Sequence, residues 1–146
     1  RILSAFYGVL KPMDGVTPYR LEMQAKAEIE ETANLYDYWG DRLYHSVIDD
    51  SRTIINLASK EYSKCIERYL SDKDNYITIT FCELSGDKLV TKGTYAKMAR
   101  GEMVRFMAEN NIENPVDIQK FDRLGYTFRG SLSSETEYVF ERKVEK

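Results

Sequence analysis

Apolar residues recur at helical spacing in several stretches of the chain, which predicts helices with one buried face each. The predicted helices span residues 1–10, 34–47, 60–70, 94–110 and 116–121. The first of these depends on the spacing of Leu3, Phe6 and Leu10. The 94–110 segment has the clearest pattern, because its apolar side chains fall on one face at about 100° per residue.

Alternation of apolar and polar residues predicts strands in other stretches. The predicted strands lie at residues 53–57, 77–81, 89–90, 126–128 and 138–140. The sequence Ser85-Gly86-Asp87 is typical of a hairpin turn between the second and third of them. Helices and strands are interleaved without strict alternation, which indicates an α+β fold with a mixed or antiparallel sheet. We expect one domain over residues 1–146.

Composition narrows the functional classes. With 42% apolar and 31% charged residues, the 146-residue chain can bury a core, and its net charge of −3 excludes a strongly basic nucleic-acid coat protein. No apolar run reaches the roughly 18–20 residues that cross a bilayer, so no membrane association is predicted. Cys65 and Cys82 lack the spacing of a metal or redox pair, which favours a reducing, cytoplasmic setting.

The junction between the predicted strand at 53–57 and the following helix is a first candidate site. Backbone N–H groups at a helix N-terminus can hold an anion, and Asn56, Ser59 and Lys60 lie at this junction. In the alternative interpretation Ser59 only caps the helix and Asn56 satisfies a buried turn. Glu61 is a candidate acid or base, and Tyr62 is a candidate for stacking.

The predicted helix at 94–110 is a second candidate, because its charge is opposite to that of the whole chain. Residues 92–105 carry four basic side chains against Glu102 alone, a local balance of +3. Lys97 and Arg100 lie about 60° apart on the helix, with Arg100 beside the apolar face. Such a guanidinium can bind phosphate in a bidentate manner. Alternatively, its stem covers the edge of the core and only the head reaches water.

The segment Pro18-Tyr19-Arg20-Leu21-Glu22-Met23 is a third candidate. In an extended chain Arg20 and Glu22 point the same way and could form an ion pair. The functional alternative makes Arg20 an anion ligand, Glu22 a base and Tyr19 a stacking residue. His45 is the only histidine, and no metal-ligand or triad spacing surrounds it, so neither a metal nor a cofactor is predicted.

Several stretches together resemble the YaaA family of bacterial peroxide stress proteins. The matching segments lie at residues 3–12, 18–23, 35–40, 55–62, 95–101, 121–126 and 139–140, in the same order. Among them are Asn56-Leu57-Ala58-Ser59-Lys60-Glu61-Tyr62 and Tyr95-Ala96-Lys97-Met98-Ala99-Arg100-Gly101. The chain departs from the family at Met98, where a second lysine is frequent.

The resemblance implies a cytosolic protein that limits oxidative damage to DNA and protein during peroxide stress and is linked with lower free iron. It also implies DNA binding by a positively charged cleft in an unusual architecture, without an established reaction. Family members carry a further N-terminal portion with a helix-hairpin-helix-like segment. We therefore expect this chain to be the C-terminal part of a longer protein.

Two functional hypotheses follow. In the first, a non-enzymatic stress protein binds the backbone of double-stranded DNA with little sequence specificity, through Arg20, Lys60, Lys97 and Arg100. In the second, an enzyme holds a small phosphorylated or nucleotide-like ligand with the same cations and uses Glu22 or Glu61 as acid or base. Both expect the candidate residues to meet around one concave site.

Overall fold

The computed structural model describes residues 1–85 and 88–143, so the predicted turn at Gly86 and Asp87 lies outside the described residues. Helices and a mixed sheet confirm the α+β class. By its contacts the chain divides into two compact units, the first made of Arg1–Ile54 and Ala58–Tyr76, the second of Ile55–Leu57 and Ile77–Lys146. The single domain over residues 1–146 stays a prediction.

The first unit begins with a hairpin, in which strand β1 (Ile2–Ser4) pairs antiparallel with β2 (Gly8–Leu10). The helix expected over residues 1–10 is therefore wrong. Ser4 Oγ accepts hydrogen bonds from the backbone N–H groups of Phe6 and Tyr7, which fixes a tight turn. Gly8 then adopts φ +78°, a conformation that ends any helix and that side chains with a Cβ disfavour.

The helix expected over residues 34–47 is two helices, α1 (Leu35–Trp39) and α2 (Arg42–Val47). Asn34 caps α1 by accepting a hydrogen bond from the N–H of Asp37 at 3.0 Å. Gly40 breaks the segment with φ +53°. Helix α3 (Lys60–Glu67) completes the unit, and its core is formed by Ala5, Met23, Leu35, Leu43, Tyr44, Cys65 and Ile66.

Most of a sheet with the strand order β3-β4-β7-β6, and with β5 also paired to β4, belongs to the second unit, whereas the first two residues of β3 and of β4 belong to the first unit. The strands are β3 (Thr53–Asn56), β4 (Asn75–Ser85), β5 (Lys88–Val90), β6 (Tyr126–Phe128) and β7 (Glu137–Arg142). The sheet is mixed. Strand β4 pairs parallel with β7, whereas β5 pairs antiparallel with β4 and β6 pairs antiparallel with β7.

Helix α4 (Gly93–Glu109) covers the core of the second unit and confirms the helix expected over residues 94–110. Its buried face consists of Ala96, Ala99, Met103 and Phe106. The short helix expected near 116–121 is a 3-10 helix at Pro115–Lys120. Asn114 caps its N-terminus. The core side chains on the sheet are Ile77, Ile79, Phe81, Tyr126, Tyr138 and Phe140.

Gly8 provides a test of the hairpin. A Cβ at this position would lie 2.9 Å from the Trp39 ring, and the positive φ adds backbone strain. We expect Gly8→Ala to lower the free energy of unfolding by about 2 kcal/mol. Chemical denaturation of the two proteins measures the difference.

Gly15→Ala is the matched control, because a Cβ at Gly15 meets no atom of the described residues within 4 Å. We expect it to change the free energy of unfolding by less than about 0.5 kcal/mol. Equal effects of the two substitutions would contradict this account of the hairpin.

Candidate functional site

In the first unit, the segment at 18–24 packs along the beginning of α3. Met23 is fully buried in the core and anchors the segment. The Glu61 carboxylate accepts a hydrogen bond from the backbone N–H of Gln24 at 3.2 Å, and the Tyr62 hydroxyl lies at the backbone of Met23, within electrostatic range of Tyr19. The structure thus brings Tyr19, Glu61 and Tyr62 together.

The phenol of Tyr62 stays protonated over the physiological pH range. Burial raises its pKa, and the negative charge of Glu61 and the neighbouring Tyr19 raise it further. A neutral hydroxyl can still donate a hydrogen bond, so Tyr62 can serve a ligand as a polar or stacking group but not as an anionic base.

Tyr19 belongs to an aromatic cluster at the hairpin, which the sequence analysis missed. Its hydroxyl shares a hydrogen bond of 2.5 Å with Ser4 Oγ. Its ring lies 5.4 Å from the ring of Phe6 and 5.5 Å from that of Tyr7. The cluster was not predicted because residues 1–10 were expected to form a helix. It is the hairpin that brings these rings together.

The remaining candidates of the first unit are exposed or only loosely engaged. Ser59 occupies the N-cap position of α3 as expected, but within the described residues its hydroxyl makes none of the capping hydrogen bonds that this role predicts. Lys60 is exposed, and so are Arg20 and Glu22. Within residues 1–85 and 88–143 no ion pair joins Arg20 to Glu22 or engages Lys60.

In the second unit, Lys97 and Arg100 lie on α4 as the spacing predicts. Lys97 is exposed, whereas Arg100 is half-buried beside the core face. Arg100 Nε is buried without a hydrogen-bond partner, and no carboxylate of the described part of the chain forms an ion pair with this guanidinium. Burial lowers the pKa of Arg100, but an arginine keeps its charge at any physiological pH.

The other basic residues of this region are already engaged. The Lys92 ammonium lies 2.9 Å from a Glu83 oxygen, and Arg105 bonds Glu109 at 2.7 Å. Of the four basic side chains at residues 92–105, Lys97 and Arg100 remain without an ion pair within the described residues. Asn56, also in this unit, is buried, and its amide donates to Thr78 Oγ1 at 3.3 Å.

A buried carboxylate that the sequence analysis missed fixes the beginning of α4. Glu83 is 1% exposed and lies opposite Arg142 in the β4–β7 register. Its two oxygens contact Lys92, just before α4, and Arg142 at 2.6 Å. The Arg142 guanidinium in turn lies 3.6 Å from the ring centre of Tyr95, in the first turn of α4. This cluster holds the helix that carries Lys97 and Arg100.

The same contacts determine how Glu83 titrates. Burial alone raises its pKa, but hydrogen bonds and positive charge from Lys92 and Arg142 outweigh burial and bring the pKa below the ordinary value of 4.5. A carboxylate with a lowered native pKa stabilises the fold above its ordinary pKa. This contribution is lost as the pH falls from 4.5 through the native pKa.

Glu83→Gln tests this cluster. We expect the free energy of unfolding at pH 7 to fall by about 3 kcal/mol, because two cations lose their buried counter-ion. Between pH 4.5 and more acidic values the wild type should lose stability more steeply than the variant. Glu113→Gln, at an exposed glutamate, is the control and should change the free energy of unfolding at pH 7 by less than about 0.5 kcal/mol. A pH dependence of Glu83→Gln parallel to that of the wild type would contradict the role of Glu83.

Neither metal ligation nor membrane insertion is indicated by the described residues. Within 1–85 and 88–143, no three His, Cys, Asp or Glu side chains are grouped as a metal ion requires. None of the helices in this part of the chain has the length and apolar character needed to cross a bilayer. His45 is exposed and lies 3.4 Å from Asp41.

The candidate residues are divided between the two units. The first unit holds Tyr19, Arg20, Glu22, Ser59, Lys60, Glu61 and Tyr62, and the second holds Asn56, Lys97 and Arg100. Their meeting around one concave site stays a prediction. Each unit by itself presents cations that no carboxylate of the described residues neutralises.

Comparison with known proteins gives the family. The family model described as peroxide stress protein YaaA matches residues 1–132. A UPF0246 protein of Agathobacter rectalis is 80% identical over 99% of the chain and 58% of its own length. UPF0246 proteins of Lachnoclostridium phytofermentans and Desulfitobacterium hafniense are 55% and 54% identical, over 95% and 99% of the chain. The chain covers 54% and 57% of their lengths, so it spans somewhat more than half of these relatives.

Proposed function

Because the chain belongs to the family of the peroxide stress protein YaaA, we propose that its protein acts in peroxide stress by binding the backbone of DNA. The ligand is double-stranded DNA, bound with little sequence specificity in the cytoplasm. Occupied DNA is thereby shielded from iron-dependent oxidative damage. No reaction is required for this function.

The observation that carries the proposal is the state of Arg100. A half-buried guanidinium has lost part of its hydration, and no carboxylate of the described chain replaces it. Such a group donates charge-assisted hydrogen bonds to phosphate oxygens, and these bonds are about twice as strong as neutral ones. Lys97, one turn earlier and exposed, supports a second contact along the same backbone.

The acidic chain as a whole does not oppose this interaction. At 0.1 M salt the Debye length is about 10 Å, so a phosphate responds mainly to the charges next to it. The net charge of −3 resides largely elsewhere, since residues 20–50 alone carry three basic and eight acidic side chains. Local cations therefore decide whether DNA binds.

The first unit supports the proposal with its own groups. Arg20 and Lys60 are exposed and without an ion pair within the described residues, which suits contacts to phosphate. Tyr19 is 42% exposed, which leaves part of its ring available for stacking, with Tyr62 as its neighbour. These groups add backbone contacts and no base-specific ones, as expected for little sequence specificity.

Binding of a labelled DNA duplex by the full-length protein tests the proposal. We expect Arg100→Gln to weaken binding about tenfold, because a hydrogen-bonded charge contact is lost. The slope of log K against log salt should fall by about 1 for each of Arg100→Gln and Lys97→Gln. Fluorescence anisotropy between low and moderate salt measures both quantities.

Arg105→Gln is the matched control on the same helix, because Arg105 is already paired with Glu109. It should leave both the affinity and the salt slope unchanged, and thermal unfolding should show that all variants are folded. Absence of duplex binding at low salt would contradict the proposal, as would unchanged binding by the double variant of Lys97 and Arg100.

The second hypothesis, an enzyme for a small phosphorylated or nucleotide-like ligand, uses the same cations. The same variants distinguish it from the DNA-binding hypothesis. If duplex DNA fails to bind while a mononucleotide binds saturably and is turned over, and Arg100→Gln weakens that binding, the enzyme hypothesis replaces the first. The hydrogen bond between Glu61 and the Gln24 N–H would then orient the candidate acid or base.

A further inference from the structure

A cavity in the first unit is lined by none of the residues that the sequence analysis selected. It has a volume of about 310 Å³ and lies between the β1–β2 hairpin, the segment that follows it, and helices α1 and α2. This volume is at the lower end of the range for small-molecule sites, about 300–1,000 Å³. The cavity therefore fits a small ligand and not a polymer.

The charge of the lining is positive. Among the described residues that line it, Arg1, Lys11 and Arg42 contribute basic side chains and Asp14 an acidic one. Asp14 Oδ2 accepts a hydrogen bond of 2.7 Å from the backbone N–H of Lys11, so one of its oxygens is engaged locally. No carboxylate of the described residues forms an ion pair with any of the three cations. The cavity thus selects for a negative ligand.

The guanidinium of Arg42 is held in place before any ligand arrives. Its Nε donates to the carbonyl of Trp39 at 3.0 Å, and its Nη2 contacts the carbonyl of Tyr38. Its Cζ lies 4.8 Å from the ring centre of Tyr38 and 5.2 Å from that of Trp39. A cation fixed in this way loses little side-chain entropy on binding, and its remaining N–H groups can reach an oxyanion.

The remainder of the lining is apolar and also rigid. The indole of Trp39 donates from Nε1 to the carbonyl of Ala5 at 2.9 Å, and its ring lies so close to Gly8 that a Cβ there would stand at 2.9 Å. Val9 and Leu43 complete the apolar part. A ligand bound here would place a charged group near Arg42 and a hydrocarbon part near these side chains.

We propose that this cavity binds a small organic oxyanion, a carboxylate or a phosphate ester joined to a compact apolar body. Arg42 is the principal anion ligand, with Lys11 as its partner, and Trp39, Val9 and Leu43 receive the apolar body. The site shares no residue with the proposed DNA contacts, although Tyr7 in its lining packs against Tyr19.

Calorimetric titration of the full-length protein with phenyl phosphate, benzoate and benzamidine tests the proposal. The three probes share one ring and differ in the attached group. We expect phenyl phosphate or benzoate to bind with 1:1 stoichiometry and a Kd of about 1 mM or lower, and benzamidine not to bind. The stronger of the two anions identifies phosphate or carboxylate as the preferred group.

Arg42→Gln should weaken binding of the anion about tenfold, because the fixed guanidinium is removed. Arg68→Gln is the matched control, since Arg68 also lies over a tyrosine ring, that of Tyr36 at 5.1 Å, but outside the cavity. This control should bind as the wild type does, and thermal unfolding should show that both variants are folded. Failure of both anions to bind, equal binding of benzamidine, or equal losses in the two arginine variants would overturn the proposal.

Discussion

The second unit depends on the neutralisation of one buried carboxylate. Glu83 is taken out of water inside the sheet, and such a charge is tolerated only with close counter-ions. Arg142 reaches it from the neighbouring strand and Lys92 from the residue before α4. The pair therefore fixes the start of the helix relative to the sheet, and the position of Arg100 two turns later follows from it.

Ion pairing, and not the number of basic residues, determines which cations can bind a ligand. The +3 balance at residues 92–105 suggested a broadly basic helix face. In the structure Lys92 neutralises Glu83, and Arg105 neutralises Glu109, so two of the four cations are used by the fold itself. The phosphate contacts proposed for α4 are therefore limited to Lys97 and Arg100, the two cations that no carboxylate of the described residues pairs with.

Local patterns predicted the elements that are determined locally. The alternation around Ile77 and the buried face of α4 were sufficient to place a strand and a helix, and the position of Arg100 beside the apolar face was predicted correctly. The structure of the first ten residues was predicted wrongly, because their apolar spacing fits a helix while Gly8 and the turn at Ser4 impose a hairpin. Glu83 was missed because its partner Arg142 is distant along the chain and only the parallel register brings them together.

The two proposed anion sites differ in the property of the arginine that favours anion binding. Arg100 has lost solvation, and no carboxylate within residues 1–85 and 88–143 pairs with it, so a phosphate gains strength from a partly desolvated environment. Arg42 is exposed and owes its fixed geometry to two carbonyls and two aromatic rings, so a ligand there gains from preorganisation. Sequence alone does not separate the two arginines, because burial and ring contacts arise only in the folded chain.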